Sequence, residues 1–150
     1  MILKYWKEHM FLFIFNGLSF VFGLIALILY TTNGTTEFNP NLSLNVILGL
    51  SLGLAFIVVS LILPKLRITL YLPFLMFLYG FLEYLVSQDT YIANIFVGID
   101  TTGISSTFVM IFLFSALSFI SPIFTFFFEK REKEDVKVEI KEAENQWRIY

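Results

Sequence analysis

Four apolar runs divide the chain. Residues 11–30, 46–63, 68–86 and 107–128 are 20, 18, 19 and 22 residues long and hold a single carboxylate between them, that of Glu83. At 1.5 Å of rise per residue each helix would be about 27–33 Å long, which matches the roughly 30 Å of hydrocarbon in a bilayer. The pattern predicts four membrane-spanning helices and therefore an all-α integral membrane protein.

The third run is the least uniform, because Pro73, Gly80 and Glu83 interrupt it. Eleven of its 19 residues are Leu, Ile, Val or Phe. Each of those favours insertion by roughly 0.3 to 0.6 kcal/mol, against a cost of about 3 kcal/mol at most for a central acid. The run is therefore expected to span. At 100° per residue, Thr69, Pro73, Met76, Gly80, Glu83 and Ser87 fall within an arc of roughly 80°, and Leu and Phe take most of the remaining circumference. Lipid solvates Leu and Phe as well as a neighbouring helix does, so the small and polar arc is expected to face protein.

The other runs carry comparable stripes. In the first, Asn16, Ser19, Gly23 and Ala26 share a face, and its length exceeds a signal-peptide core, so a retained helix is expected. In the second, Gly49 and Gly53 form a G-x-x-x-G pair with Asn45 and Ser60 near the same face, suited to close helix contact within one chain or between copies. In the fourth, Ser115, Ser118, Pro122 and Thr125 align. Pro122 is expected to kink this helix as Pro73 does the third, with hydroxyls of Ser118 or Ser121 occupying the acceptors it frees.

Between the runs, 31–45 reads as a loop with turn signals at Asn33-Gly34 and Asn39-Pro40. The four-residue connection at 64–67 makes the second and third spans antiparallel neighbours. Residues 87–106 read as a loop whose middle, 91–99, is apolar enough to rest at the interface. A tail, 129–150, is rich in charge and fits a partly helical segment near the headgroups.

Charge sets the orientation. All ten Lys and Arg residues lie near the amino terminus, at 64–67 or in the tail, and none lies in the other two loops. Basic segments stay on the cytoplasmic side, so both termini are expected there, with Glu37, Asp89 and Asp100 outside. The expected architecture is an antiparallel four-helix transmembrane bundle, 1–128, with a charged cytoplasmic tail, in the plasma membrane and most simply a bacterial one.

Composition narrows the chemistry. Only 15% of residues are charged and 57% are hydrophobic, well away from a soluble domain at about 25% charged. The absence of cysteine removes disulfides, thiolate metal sites and a cysteine nucleophile together. The one histidine, His9, sits in an aromatic and basic collar with Tyr5 and Trp6. No phosphate-cradling glycine loop, zinc-protease helix or nucleophile elbow occurs. No cofactor and no metal are expected; the one all-oxygen arrangement available, Glu83 with Asp89 and Asp100, reads better as solvated acids. The basic clusters are short, mixed with acids and next to lipid, which argues against nucleic acid.

The sequence thus points to a non-catalytic multi-pass protein that acts through contact with protein or lipid, as an accessory subunit, a regulator or an immunity-type protein. Its partners would be the bilayer and a larger membrane complex or further copies of itself. The alternative is a small transporter or an oligomeric, holin-like pore-former that uses Glu83. Glu83 and Asn16 are the candidate functional polar groups in the membrane. Gly23, Gly49, Gly53, Gly80 and Ser118 are the candidate packing positions.

Overall fold

The computed structural model describes residues 10–35, 41–62, 68–98 and 103–124. Five helices account for nearly all of them: α1 (Met10–Asn33), α2 (Leu44–Ile62), α3 (Ile68–Ser87), α4 (Asp89–Phe96) and α5 (Ser106–Phe124). No strand occurs among the described residues. Three stretches are long and apolar enough to cross a membrane, Phe13–Asn33, Leu44–Ile62 and Ser106–Phe124, and Tyr71–Ser87 of α3 is a shorter apolar helix. The collar with Tyr5, Trp6 and His9, the 64–67 connection, Glu37, Asp100, Thr125 and the 129–150 tail lie outside the described residues.

Two of the helices, α1 and α5, carry large apolar residues outside and small or polar ones inside, the reverse of a soluble protein. On α1 the exposed side carries Ile14, Leu18, Val21, Leu24 and Ile28, and the buried side carries Asn16, Ser19, Gly23, Ala26 and Tyr30. On α5 Leu113, Leu117 and Ile120 are exposed, whereas Ser115, Ser118 and Ser121 are buried. Such a surface would drive aggregation in water but is matched by hydrocarbon. Three apolar helices with this polarity are compatible with a membrane protein.

Small residues bring the backbones together. A Cβ at Gly49 would lie 2.5 Å from the Gly80 Cα and 2.6 Å from its nitrogen, so α2 and α3 touch backbone to backbone there. One turn further along α2, the Phe77 ring of α3 occupies a hollow left by Gly53 and by Gly23 of α1. α5 closes against α1 through Phe15–Phe124 and Phe22–Phe114, with ring centroids 5.6 and 6.0 Å apart. It meets α3 through Phe81, whose ring lies 5.2 Å from Phe112 and 5.1 Å from Phe119.

The structure departs from the expected pattern in three places. First, α1 continues to Asn33, past residue 30. Within this extension the Thr31 and Thr32 hydroxyls donate back to the carbonyls of Leu27 and Ile28, at 2.9 and 2.8 Å, which satisfies them without a partner outside the helix. Second, the 87–106 stretch is not all loop, since α4 forms within it. The Asp89 carboxylate accepts hydrogen bonds from the Thr90 amide and hydroxyl in the first turn, and Gly98, at φ 75°, ends the helix in the left-handed region that glycine enters without strain.

Third, the buried stripe of α3 is Pro73, Phe77, Gly80, Tyr84 and Gln88, whereas Met76, Glu83 and Ser87 are only half-buried. The stripe is rotated by about 60° from the expected arc. Phe77, expected on the lipid side, turns inward because Gly23 and Gly53 opposite leave room for its ring, and Tyr84, outside the expected arc, is buried with it. Asn45 likewise is exposed rather than on the buried face of Gly49, Gly53 and Ser60.

Candidate functional site

Glu83 and Asn16 occupy separate places. Glu83 lies near the end of α3 and its Oε2 accepts a hydrogen bond from Asn45 Nδ2 in the first turn of α2, at 3.3 Å. The pair ties the ends of two helices together. No group of three His, Asp or Glu gathers among the described residues.

Asn16 is buried on the far half of α1, about 25 Å of helix rise from Asn33. Its surroundings are set by a backbone event on α5. Pro122 has no N–H, so the carbonyl of Ser118, four residues earlier, loses its helical partner. The Ser19 hydroxyl of α1 donates to that freed oxygen. This corrects the expectation that Ser118 or Ser121 would serve it. Their own hydroxyls instead donate to Ser115 and Leu117 carbonyls, at 2.7 and 2.8 Å. On α2 the Ser60 hydroxyl turns back to the Ile57 carbonyl at 2.7 Å. Two buried atoms here, Asn16 Nδ2 and Ser115 Oγ, have no partner among the described residues.

The richest polar geometry is at the opposite end of the helices, where three tyrosines fasten the connections. Helix starts leave amides without internal partners. The Tyr30 oxygen accepts one from Ser43, just before α2, and the Tyr91 oxygen accepts one from Ser105, just before α5, each at 2.8 Å. The Tyr84 hydroxyl donates to the Phe108 carbonyl at 3.3 Å, and its ring stands edge-on to Tyr30 with centroids 5.8 Å apart.

Beside this framework, with Tyr84 in its wall, is a cavity of about 310 Å³. Its walls are Thr32, Asn33, Gly34 and Thr35 at the end of α1, Tyr84 and Gln88 at the end of α3, and Ser105, Thr107, Phe108 and Ile111 at the start of α5. Acids, lysine, arginine and histidine are missing from the wall among the described residues. Gln88 is 1% exposed. Its Nε2 donates to the Gly34 carbonyl at 3.2 Å, which fixes the orientation of the amide, and its Oε1 is left with no partner among the described residues. The volume lies at the small end of the roughly 300–1,000 Å³ typical of ligand sites.

No protein family matches the chain, and no similar curated protein or solved structure is found.

Of the residues that the sequence singled out, the structure joins Gly49 to Gly80, sets Gly23 and Gly53 around one ring, and links Ser118 to Ser19. It does not bring Glu83 to Asn16 or to the cavity. Gln88 and the Thr and Ser residues of the cavity escaped sequence reasoning, which looked for charge inside apolar runs. The available signal was register: Gln88 continues the Pro73, Phe77, Gly80, Tyr84 spacing by one more turn.

Proposed function

We propose that the chain is a four-span, antiparallel bundle in a plasma membrane, with both termini cytoplasmic, that acts by contact with protein or lipid and performs no catalysis. The apolar outer side of α3, with Tyr71, Leu75, Leu82 and Val86 exposed, supports its being the fourth span. The observation that carries the reading is where the buried hydroxyls go. Ser19, Ser60, Ser118 and Ser121 all donate to backbone carbonyls. The Ser19 bond joins α1 to α5 and the other three stay within their own helices; hydroxyls committed in this way neither line a wet route nor offer a nucleophile next to a base.

The partner would be a larger membrane complex, or further copies of the chain, reached through the apolar faces and the charged tail. Mild crosslinking in native membranes followed by purification is expected to recover a stable partner. Recovery of the chain alone, together with solute flux in liposomes that hold only this protein, would refute contact as its task. Topology reporters fused at Glu37 and at Asp100 are both expected to face outside.

The pore-forming alternative makes Glu83 the selectivity group. Glu83→Gln keeps an oxygen for Asn45 and removes the charge. The contact reading expects unchanged insertion and partner recovery; loss of a membrane-potential phenotype with insertion intact would favour the pore.

A further inference from the structure

We infer that the cavity at the helix ends is a binding site for one small, neutral, hydroxyl-rich group: a sugar or similar polyol, free or carried as a lipid headgroup. The inference rests on the cavity and its chemistry, and holds whichever side of the membrane that end faces.

The lining dictates the class. Gln88 Oε1 is an acceptor, buried and unpartnered, so its complement is a donor. An ammonium or guanidinium would supply one but would enter a lining with no carboxylate among the described residues to balance it, and a desolvated charge without a partner is expensive. An anion is disfavoured in the same way, because no cation lines the cavity among the described residues and the unpartnered amide atom is a carbonyl oxygen. A neutral hydroxyl avoids both costs. It also meets Thr35, Ser105 and Thr107, whose hydroxyls both donate and accept, as the hydroxyls of a polyol do.

The apolar part of the lining fits the same class. Tyr84 and Phe108 present aromatic carbon beside the polar wall, and a pyranose has a C–H face as well as a hydroxyl rim. The volume admits one ring and excludes a chain of them. Because the cavity is built from the ends of α1 and α3 and the start of α5, it lies at headgroup depth when the helices span, within reach of a glycolipid as well as of a dissolved sugar.

The chain has no cysteine, so a single introduced thiol reports on the cavity without background. The full-length Ser105→Cys protein, in bilayers of phosphatidylethanolamine, is labelled with uncharged N-ethylmaleimide. The test adds methyl glucoside in solution in one arm and monoglucosyl diacylglycerol in the bilayer in the other. Val97→Cys, exposed and outside the cavity wall, is the control. Occupancy is expected to slow labelling of Ser105→Cys saturably, by about tenfold at ten times the midpoint concentration, and to leave Val97→Cys unchanged. Protection by the glucoside alone assigns a free polyol, and protection by the glycolipid alone assigns a headgroup. Gln88→Leu is expected to abolish protection, and Thr107→Val, which leaves the Gln88 to Gly34 link intact, decides the matter if Gln88→Leu does not fold. No protection in either arm, equal protection at Val97→Cys, or protection that survives both cavity substitutions overturns the inference.

Discussion

Gly49→Ala tests the backbone-to-backbone contact of α2 with α3. The new Cβ would meet Gly80 Cα at 2.5 Å and its nitrogen at 2.6 Å, against an ordinary contact of 3.4–4 Å. Both obstacles are backbone, so no side chain can swing away and α2 must part from α3 by about 0.9 Å. A gap of that size forfeits a quarter to a half of each dispersion well of about 0.15 kcal/mol, and with on the order of 30 atom pairs along the seam the loss is ~2 kcal/mol. Overpacked cores lose a similar amount.

Alanine also has the higher helix propensity, worth about 1 kcal/mol over glycine, and this gain would mask part of the loss. Gly17→Ala removes the ambiguity, since a Cβ at Gly17 meets nothing within 4 Å. The propensity gain is common to both substitutions and cancels in their difference. Gly80→Ala falls between them, because its nearest obstacle, the Leu50 nitrogen, is 3.0 Å away. Reversible unfolding in bicelles, followed by steric trapping, is expected to rank stability as Gly17→Ala above Gly80→Ala above Gly49→Ala. The outer two should differ by about 2 kcal/mol, near thirtyfold in the unfolding constant. Equal stability of Gly49→Ala and Gly17→Ala would refute the backbone contact and the packing derived from it.

Ser19→Ala should destabilise by roughly 1–3 kcal/mol, because it strands the Ser118 carbonyl that Pro122 leaves open. Pro122→Ala restores the N–H for that carbonyl, so a double-mutant cycle in the same unfolding assay is expected to show a much smaller effect of Ser19→Ala in the Pro122→Ala background; additivity would contradict the assignment. Gly53→Ala, whose Cβ would lie 2.6 Å from the Phe77 ring, should cost about 1–3 kcal/mol alone. In the Phe77→Ala background it is expected to be neutral or stabilising, since it then fills part of the vacated space; an unchanged sign would show that the ring is not seated against Gly53.

Hydropathy made the helices legible because lipid imposes one rule on every exposed position, and the exposed faces of α1 and α5 obey it along their length. The stripe of Asn16, Ser19, Gly23 and Ala26 could be read for the same reason: small and polar groups have nowhere else to go. On α3 that logic misled, because it ranked residues by polarity alone. Glu83 sits near a helix end, where an acid need not be buried, and Phe77 is inside only because two glycines on other helices leave a hollow for it. A single helix holds no record of the space opposite it. α4 was hidden in turn because eight residues give too little periodicity to separate a short helix from a loop, and its stop at Gly98 depends on one left-handed residue.

Polarity is distributed differently along the helices and at their ends, and this separates architecture from any site. Along α1, α2 and α5 the buried hydroxyls of Ser19, Ser60 and Ser118 find backbone carbonyls, one of which is open only because Pro122 cannot occupy it. At the end formed by Tyr30, Tyr84 and Tyr91, the tyrosine oxygens take over the anchoring of the connections. Gln88 is thereby left to hold Gly34 with its amide nitrogen alone. Among the described residues three buried polar atoms lack partners, Asn16 Nδ2, Ser115 Oγ and Gln88 Oε1, and only the last belongs to a residue of the cavity wall. An unmet acceptor inside close packing is a cost with no remedy. Beside 310 Å³ of space it is a cost that a donor from outside the chain can remove, so whatever this protein recognises among small molecules is expected to be met there, away from Glu83.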